Sequence, residues 1–306
     1  MTKRQEFVTF LSMKDKDVEI YISASFFLFL GENMDEEVLH IHTIQSYLVL
    51  ETEKFYQKII ANNGISHFYS FKCNSNKTIP FLEDSCSNIL FEYTPSDMNS
   101  FFIGNAACRN TLELKKNCEY FGIRFQPGAN PFFFDQEVKD LMGQKIELKE
   151  FSLMTNLSDR MSVQDTFTNR MCTFMDEYRK WRDTTQNGQK QLFYQMVNII
   201  VKKDGLLKVS ELIEKTGYSS RYINLLFDRY LGCSAKQFCK NVKMHTIIND
   251  MNKKEIDSLL DLSTKFNFYD QSHFVHSFKE FTGVSPTEYI EHVKQHSYSS
   301  HVFTEE

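Results

Sequence analysis

Two stripes of side chains in the last third of the chain carry groups that can recognise base pairs. They comprise Arg221, Asn224, Leu225 and Asp228 in the first stripe, and Ser272, Val275, His276 and Lys279 in the second. Positions i, i+3, i+4 and i+7 share one face of a helix. Arginine and asparagine make bidentate contacts to guanine and adenine, and valine can pack on a thymine methyl group. These residue types predict contact with double-stranded DNA, against the alternative of two ordinary solvated faces.

The two stripes lie in two copies of one sequence unit. Leu212, Gly217 and Tyr218 of the first copy correspond, in that order, to Leu262, Asn267 and Phe268 of the second. Further along, Phe227, Gly232, Ser234 and Phe238 correspond in the same way to Phe278, Gly283, Ser285 and Tyr289. Duplication of one supersecondary unit is the simplest explanation of this repeat.

Residues that end and start helices divide each copy into helix, turn and helix. Gly217 suits the left-handed residue that closes a helix, and Asn267 takes its place in the second copy. Ser219 and Asp270 are predicted to cap the helices that carry the two stripes. A short turn of this kind between two helices is typical of a helix-turn-helix unit.

One long helix is predicted between the two copies. The capping signal Ser234–Gln237 begins it, and the helical pattern continues to Asn252. At 1.5 Å per residue this helix is roughly 27 Å long, close to the ~34 Å pitch of DNA. The arrangement predicts that the two stripes enter successive major grooves on one face of the duplex.

The repeat resembles the AraC/XylS family of transcription regulators over about Leu207–His292. The resemblance is carried by Gly217-Tyr-Ser-Ser-Arg-Tyr-Ile-Asn224, Tyr269-Asp-Gln-Ser-His-Phe274 and Phe278-Lys-Glu-Phe-Thr-Gly-Val-Ser-Pro286. It implies a sequence-specific DNA-binding regulator that also contacts RNA polymerase. Carried over by position, its base-facing residues are Arg221, Asn224 and Leu225 in the first unit, and Gln271, Ser272, Val275 and His276 in the second.

The chain departs from the family pattern in both units. Ile213 and Ser263 stand where each unit usually has alanine, and Asn267 replaces the usual glycine. Leu225 stands where a polar, base-reading residue often sits. The resemblance therefore implies few hydrogen bonds between the first unit and the bases.

The region before residue 155 is rich in Phe and Tyr and gives short strand signals separated by turns. Its candidate strands are Ser66–Cys73, Ser87–Tyr93, Ser100–Ile103 and Tyr120–Phe125, and a helical pattern runs from about Ser46 to Ala61. The segment Phe121–Gly128 is similar to the sensory domain of one AraC-like subgroup. We therefore predict an α+β protein. A β-rich sensory domain spans 1–155, a helical dimerisation or linker segment spans 156–187, and an all-α domain with two helix-turn-helix units spans 188–306.

An apolar stripe with helical spacing precedes the two helix-turn-helix units. It comprises Met161, Phe167, Met171, Phe174, Tyr178 and Trp181. Such a stripe is buried either against the chain's own sheet or against a second chain. We predict a homodimer, with Phe167, Met171 and Phe174 at the contact.

Control by a small-molecule effector in the N-terminal domain is the preferred hypothesis for regulation. Arg124 is a weak candidate for binding an effector carboxylate, and a structural ion pair is the alternative. The aromatic residues can line an apolar pocket or form a plain core. The second hypothesis is a regulator without an effector, whose N-terminal domain serves only dimerisation or protein-partner binding.

Other classes of protein have little support in the sequence. No Gly-x-Ser-x-Gly elbow, phosphate loop or His-Glu-x-x-His helix is present, so we expect neither an enzyme nor a cofactor. His40 and His42 are spaced like a metal pair, but no Glu follows at the expected interval, so no metal is predicted. Seven cysteines without a Cys-x-x-Cys pair indicate free thiols in the cytoplasm. The sequence contains no run of about 18 apolar residues, so we expect no membrane-spanning helix.

The charge of the chain gives DNA binding no general support. Net charge is −5, and from Asp204 onward 12 Lys and Arg stand against 14 Asp and Glu. A basic surface must therefore come from the local arrangement of side chains.

Overall fold

The chain forms two compact units, residues 1–38 and residues 39–306. This computed structural model describes residues 11–15, 18–22, 45–105, 110–129, 138–151, 154–181, 188–253, 258–296 and 298–304. In the first unit, β1 (Leu11–Asp15) and β2 (Val18–Ile22) form an antiparallel hairpin. The candidate metal pair His40 and His42 lies outside the described residues.

The second unit begins with a mainly antiparallel sheet. Its elements are α1 (Ser46–Leu50), β3 (Phe55–Asn62), β4 (Ile65–Cys73), β5 (Lys77–Phe81), β6 (Asn88–Tyr93), β7 (Met98–Ile103), β8 (Asn110–Leu114), β9 (Cys118–Phe125), α2 (Val138–Leu141) and β10 (Lys145–Glu147). Seven strands pair in the order β10-β7-β6-β9-β4-β3-β11, where β11 is Val302–Thr304, and β5 pairs with β8 separately. The four strands expected from the sequence are confirmed.

The helical interpretation of residues 46–61 is wrong beyond α1. The chain turns after Leu50 and enters β3, which pairs with β4 from Phe55 opposite Phe71 to Asn62 opposite Ile65. At the start of β3, buried Phe55 and Gln57 flank exposed Tyr56, which is the period-two pattern of a strand. Pairing with the next strand, β4, therefore overrides the helical spacing.

The apolar stripe expected to dimerise lies on two helices that pack on the sheet. They are α3 (Thr155–Ser162) and α4 (Phe167–Trp181). The Phe174 ring lies 5.8 Å from that of Phe68 on β4, and the Phe167 ring lies 5.5 Å from that of Phe121 on β9. Met171 and Phe174 are buried within one chain. Met171 and Phe174 therefore cover the chain's own sheet, whereas Phe167 is half-buried, and the pairing of two chains stays a prediction.

Among the described residues from 188 to 296, the chain forms seven helices. They are α5 (Gly188–Val201), α6 (Val209–Thr216), α7 (Ser220–Leu231), α8 (Ala235–Lys253), α9 (Leu259–Lys265), α10 (Gln271–Thr282) and α11 (Pro286–His296). Gly217 and Asn267 both adopt positive φ, at 74° and 52°. Ser219 caps α7 and Asp270 caps α10, as predicted. The sequence therefore places both helix-turn-helix units correctly.

The long helix α8 belongs to both helix-turn-helix units and also to the core of the sheet domain. Its first half packs Phe238 and Val242 into the core of the first unit. Its second half packs Ile247 and Met251 into a core that the second unit shares with α1 and the sheet. The second unit therefore completes its apolar core with residues of α1 and the sheet, which lie much earlier in the sequence.

The end of the chain returns to the sheet. After α12 (Tyr298–His301), β11 pairs in parallel with β3, Val302 opposite Phe55. The predicted boundary of the helical domain at residue 306 is therefore corrected, because Val302–Thr304 form the edge strand of the sheet domain.

Candidate nucleic-acid interface

The first candidate face lies on α7 and is open to solvent. Arg221 is exposed and Leu225 is 57% exposed. The opposite side of the helix buries Leu226 and Phe227. Arg221, Asn224, Leu225 and Asp228, which we call the first face, line a concave surface together with Ser219, Tyr222 and Ser234. The structure therefore brings together the four residues of the first predicted stripe.

Asn224 has a structural contact that the sequence did not reveal. Its Oδ1 accepts a hydrogen bond from the backbone N–H of Ala235 at 3.1 Å, at the start of α8. Its Nδ2 donates to Ser220 Oγ at 3.4 Å. These two hydrogen bonds secure the turn between α7 and α8. Because they already use both ends of the Asn224 amide, this amide would have to give them up to make a bidentate contact with adenine.

Asp228 is paired with a residue of the sheet domain. Its Oδ2 lies 2.6 Å from the Nζ of Lys139 on α2. Both side chains stay about half exposed, Lys139 at 52% and Asp228 at 46%. The sheet domain therefore adds a positive charge at the edge of the first face.

The second candidate face lies on α10. Gln271, Ser272, Val275, His276 and Lys279, which we call the second face, line a concave surface with Glu280. All but the half-buried Val275 are exposed, while the far side of α10 buries Phe274 and Phe278. The structure thus brings together every second-unit residue predicted to contact DNA.

The charges on and beside the second face are arranged by ion pairing. The Glu280 carboxylate pairs with Lys240 on α8 at 3.0 Å, and this hydrogen bond holds the pKa of Glu280 below its usual value. Lys279 is exposed one residue earlier in the sequence. The face therefore offers Lys279 to a phosphate while a neighbouring carboxylate is neutralised by a partner.

One residue of the second unit was missed by the sequence reasoning. Tyr269 is 92% exposed in the turn that leads into α10, next to the capping residue Asp270. A tyrosine hydroxyl at the start of a recognition helix can donate to a backbone phosphate. The available signal was an aromatic residue in a turn that needs no apolar side chain.

Arg124 is part of a buried polar cluster. Its guanidinium pairs with Asp84 and donates to Asn88 Oδ1 at 3.1 Å, and the side chain is 1% exposed. The Asp84 carboxylate also accepts from Gln45. The structure therefore favours the ion pair over the effector-carboxylate role considered for Arg124.

The loop after β5 holds α8 through polar contacts. The Glu83 carboxylate accepts from Asn241 Nδ2 at 2.9 Å and from Gln237 Nε2 at 3.3 Å, while its backbone oxygen accepts from His245 Nε2 at 2.9 Å. Burial raises the pKa of Glu83 and lowers the pKa of His245 to about 4. The Ser234–Gln237 capping signal forms in part: Ser234 Oγ accepts from the Gln237 N–H at 3.1 Å, whereas the Gln237 side chain contacts Glu83.

The part of the chain that the structure describes contains neither a cluster of metal-ligating side chains nor a helix that could span a membrane. In the described ranges, no three His, Cys, Asp or Glu side chains are grouped as a metal site would need. No helix within the same ranges is long and apolar enough to span a bilayer.

Comparisons with known proteins match the two halves of the chain separately. A family described as "Helix-turn-helix domain" matches residues 212–292, and one described as "Domain of unknown function (DUF6597)" matches residues 62–147. The "Probable transcription factor PqrA" of Proteus vulgaris is 22% identical over 85 residues, which are 28% of this chain and 69% of that protein.

Solved structures of ToxT from Vibrio cholerae also match. One is 12% identical and covers 78% of this chain and 98% of its own, with a TM-score of 0.42. Another, of unsaturated fatty acid bound wild-type ToxT, is 12% identical and covers 84% and 99%, with a TM-score of 0.40. The matched helix-turn-helix region contains both candidate faces.

Proposed function

The chain belongs to the AraC/XylS family of DNA-binding transcription regulators, and we propose that it reads two successive major grooves on one face of the duplex. The observation that carries this proposal is the position of the two faces on either side of one unbroken helix. Helix α8 has 19 residues, and at 1.5 Å per residue it is roughly 28 Å long, near the ~34 Å pitch of DNA.

Each face has a different chemistry for readout. On the first, Arg221 reads guanine by bidentate hydrogen bonds, and Leu225 packs on a thymine methyl group. On the second, Gln271, Ser272 and His276 make polar contacts to base edges, Val275 makes an apolar one, and Lys279 binds phosphate. Asn224 acts mainly by positioning, because its Oδ1 already accepts from Ala235.

Regulation by a small molecule remains part of the proposal. An effector changes DNA binding only if it binds two arrangements of the chain with different affinities. The core that α1 shares with the second unit is one place where such arrangements would differ, since separation of the sheet from α8 would expose it. Pairing of two chains and contact with RNA polymerase are further proposals, with the dimer surface away from buried Met171 and Phe174.

The second candidate is a regulator without an effector, whose sheet domain acts as a scaffold for the reader. The pairing of β11 with β3 favours it, because Val302–Thr304, which follow the second helix-turn-helix unit, are built into the sheet. Native mass spectrometry of the purified full chain separates the two candidates. A co-purifying small molecule supports effector control, and bare protein that binds its operator at full affinity supports the scaffold.

The proposed readout is tested by footprinting the full chain on duplexes selected from random DNA. We expect two protected major-groove segments about one helical turn apart. Protection of one groove alone would show that the two units do not act together. Absence of any selected sequence would overturn the assignment as a specific reader.

A further inference from the structure

We propose that Lys139, a residue of the sheet domain, binds a DNA phosphate beside the first face. This inference rests on the proposed function and extends the DNA interface beyond the helical reader. The contact would make the sheet domain a direct part of DNA binding.

Helix α2 is held against α7 by more than one contact. Lys139 Nζ lies 2.6 Å from Asp228 Oδ2. At the end of α7, Gly232 adopts φ of +70°, and a Cβ there would lie 2.1 Å from Met142 Sδ. The side chain of Met142, just after α2, therefore packs closely against the backbone at the end of the first recognition helix.

The segment that carries Lys139 is also fixed to the sheet. The Gly104 N–H donates to the Gln144 carbonyl at 3.0 Å, and the Gly143 N–H donates to the Asn105 carbonyl at 2.8 Å. These bonds tie the residues after α2 to the end of β7. Lys139 is thus presented by an anchored element next to the reader.

The charge of the first face explains why an added cation matters. Arg221 and Asp228 are its two charged residues, and their formal charges cancel. From residue 204 onward the chain has 12 Lys and Arg against 14 Asp and Glu, so this part of the helical domain has no surplus of positive charge. Because DNA affinity depends on neutralising phosphates, Lys139 supplies the charge that the first face lacks.

The spacing along α7 puts Lys139 near the phosphates. Asp228 lies seven residues after Arg221, roughly 10 Å along the helix axis. The major groove is ~12 Å wide, so when Arg221 reaches a base edge the Asp228 end lies at the bordering backbone. An ammonium group donates up to three hydrogen bonds, and an exposed ion pair with Asp228 does not withdraw it from a phosphate.

The test is the salt dependence of binding by the full chain carrying Lys139→Gln. Loss of one phosphate contact should lower the slope of log affinity against log salt by about one. Affinity at physiological salt should fall roughly fivefold, alike on the selected operator and on random duplex. A slope equal to that of the unchanged protein would overturn the proposal.

Lys149→Gln is the matched control. Lys149 is also an exposed lysine of the sheet domain, but its partner is Glu147 in its own segment. The substitution removes the same charge and should leave the salt slope unchanged. An equal fall in both variants would attribute the effect to net charge and overturn the contact.

Asp228→Asn separates a phosphate contact from simple neutralisation of Asp228. If Lys139 binds phosphate, Lys139→Gln lowers the slope in the Asp228→Asn background too. If it only screens Asp228, that background abolishes the effect and the proposal fails. A different result is that Arg221→Ala abolishes operator binding while Lys139→Gln leaves both affinity and salt slope unchanged. That result would reject this inference alone and leave the proposed function intact.

Discussion

The Nδ2 of Asn252 donates a hydrogen bond to Ser46 Oγ at 3.0 Å, joining residues 206 positions apart. The Oδ1 of Asn252 in turn accepts from the Tyr289 hydroxyl at 2.8 Å. The rings of Tyr289 and Tyr47 pack edge to face, with centroids 5.9 Å apart. One asparagine at the end of α8 therefore joins the second helix-turn-helix unit to α1.

This junction changes what we expect of an isolated reader. From the sequence alone, a fragment beginning near Gln189 should fold as a monomer and bind DNA unaided, since both units are complete. The structure instead predicts that residues 189–306 lose stability in the second unit, because α1 no longer covers its core. Urea denaturation should show an earlier transition than in the full chain, and the footprint should keep the first groove and weaken at the second. Two equally protected grooves would contradict this prediction.

Direct readout is tested by comparing Arg221→Ala with Lys279→Gln. Arg221→Ala should cost about 1–3 kcal/mol on the selected site and relax the base preference there. Lys279→Gln should weaken all sequences alike and flatten the salt dependence, because phosphate contacts carry no sequence information. Binding titrations on the selected site and on random duplex measure both effects. Equal loss on the two duplexes for Arg221→Ala would remove its base-reading role.

The two roles of Asn224 are separated by two substitutions. Asn224→Ala removes the acceptor for the Ala235 N–H, so the free energy of unfolding should fall by about 0.5–1.5 kcal/mol. Asn224→Asp keeps an acceptor oxygen but places a negative charge on the first face. It should keep most of the stability and lose DNA affinity. If Asn224→Ala loses sequence preference without losing stability, base contact rather than positioning is its main role.

Local signals account for the parts of the fold that the sequence predicts well. Positive φ at Gly217 and Asn267, and caps at Ser219 and Asp270, depend on residues close in sequence, so spacing reveals them. The repeat then places both faces.

Contacts between distant segments account for most of what the sequence does not reveal. β11 depends on pairing with β3, and Lys139 reaches Asp228 through the approach of two domains. The hydrogen bond from the Ala235 N–H to Asn224 spans only eleven positions. It could not be predicted because asparagine on this face also suits contact with a base. In each case residue type allowed two roles, and only the three-dimensional arrangement decides between them.

The apolar stripe on α4 gives a prediction about stability. Phe174 is buried and contacts the rings of Phe68 and Phe125, so Phe174→Ala should lower the free energy of unfolding by about 3–5 kcal/mol. Val163, which is 76% exposed, provides the control: Val163→Ala should change stability little. Denaturation and sedimentation measure stability and association together. A folded Phe174→Ala variant of unchanged stability that dissociates from dimer to monomer would restore the dimer contact.

The stability of the chain should depend on pH through His245. Its Nε2 donates to the Glu83 carbonyl at 2.9 Å, its ring meets that of Phe281, and burial lowers its pKa from 6.5 to about 4. His245 therefore binds a proton below about pH 6.5 in the unfolded chain but only below about pH 4 in the folded chain. Stability falls as pH decreases through this window and is fully present above it.

The measurement is urea denaturation at pH 7 and pH 5 in the full chain and in His245→Gln. Glutamine can keep the hydrogen bond to the Glu83 carbonyl but does not titrate. The neighbouring charged groups, Arg124 and the Glu83 carboxylate, remain in both proteins and contribute equally. We expect His245→Gln to lose less stability between pH 7 and pH 5 than the unchanged chain. An equal loss in both would place the acid sensitivity outside the junction between the Glu83 loop and α8.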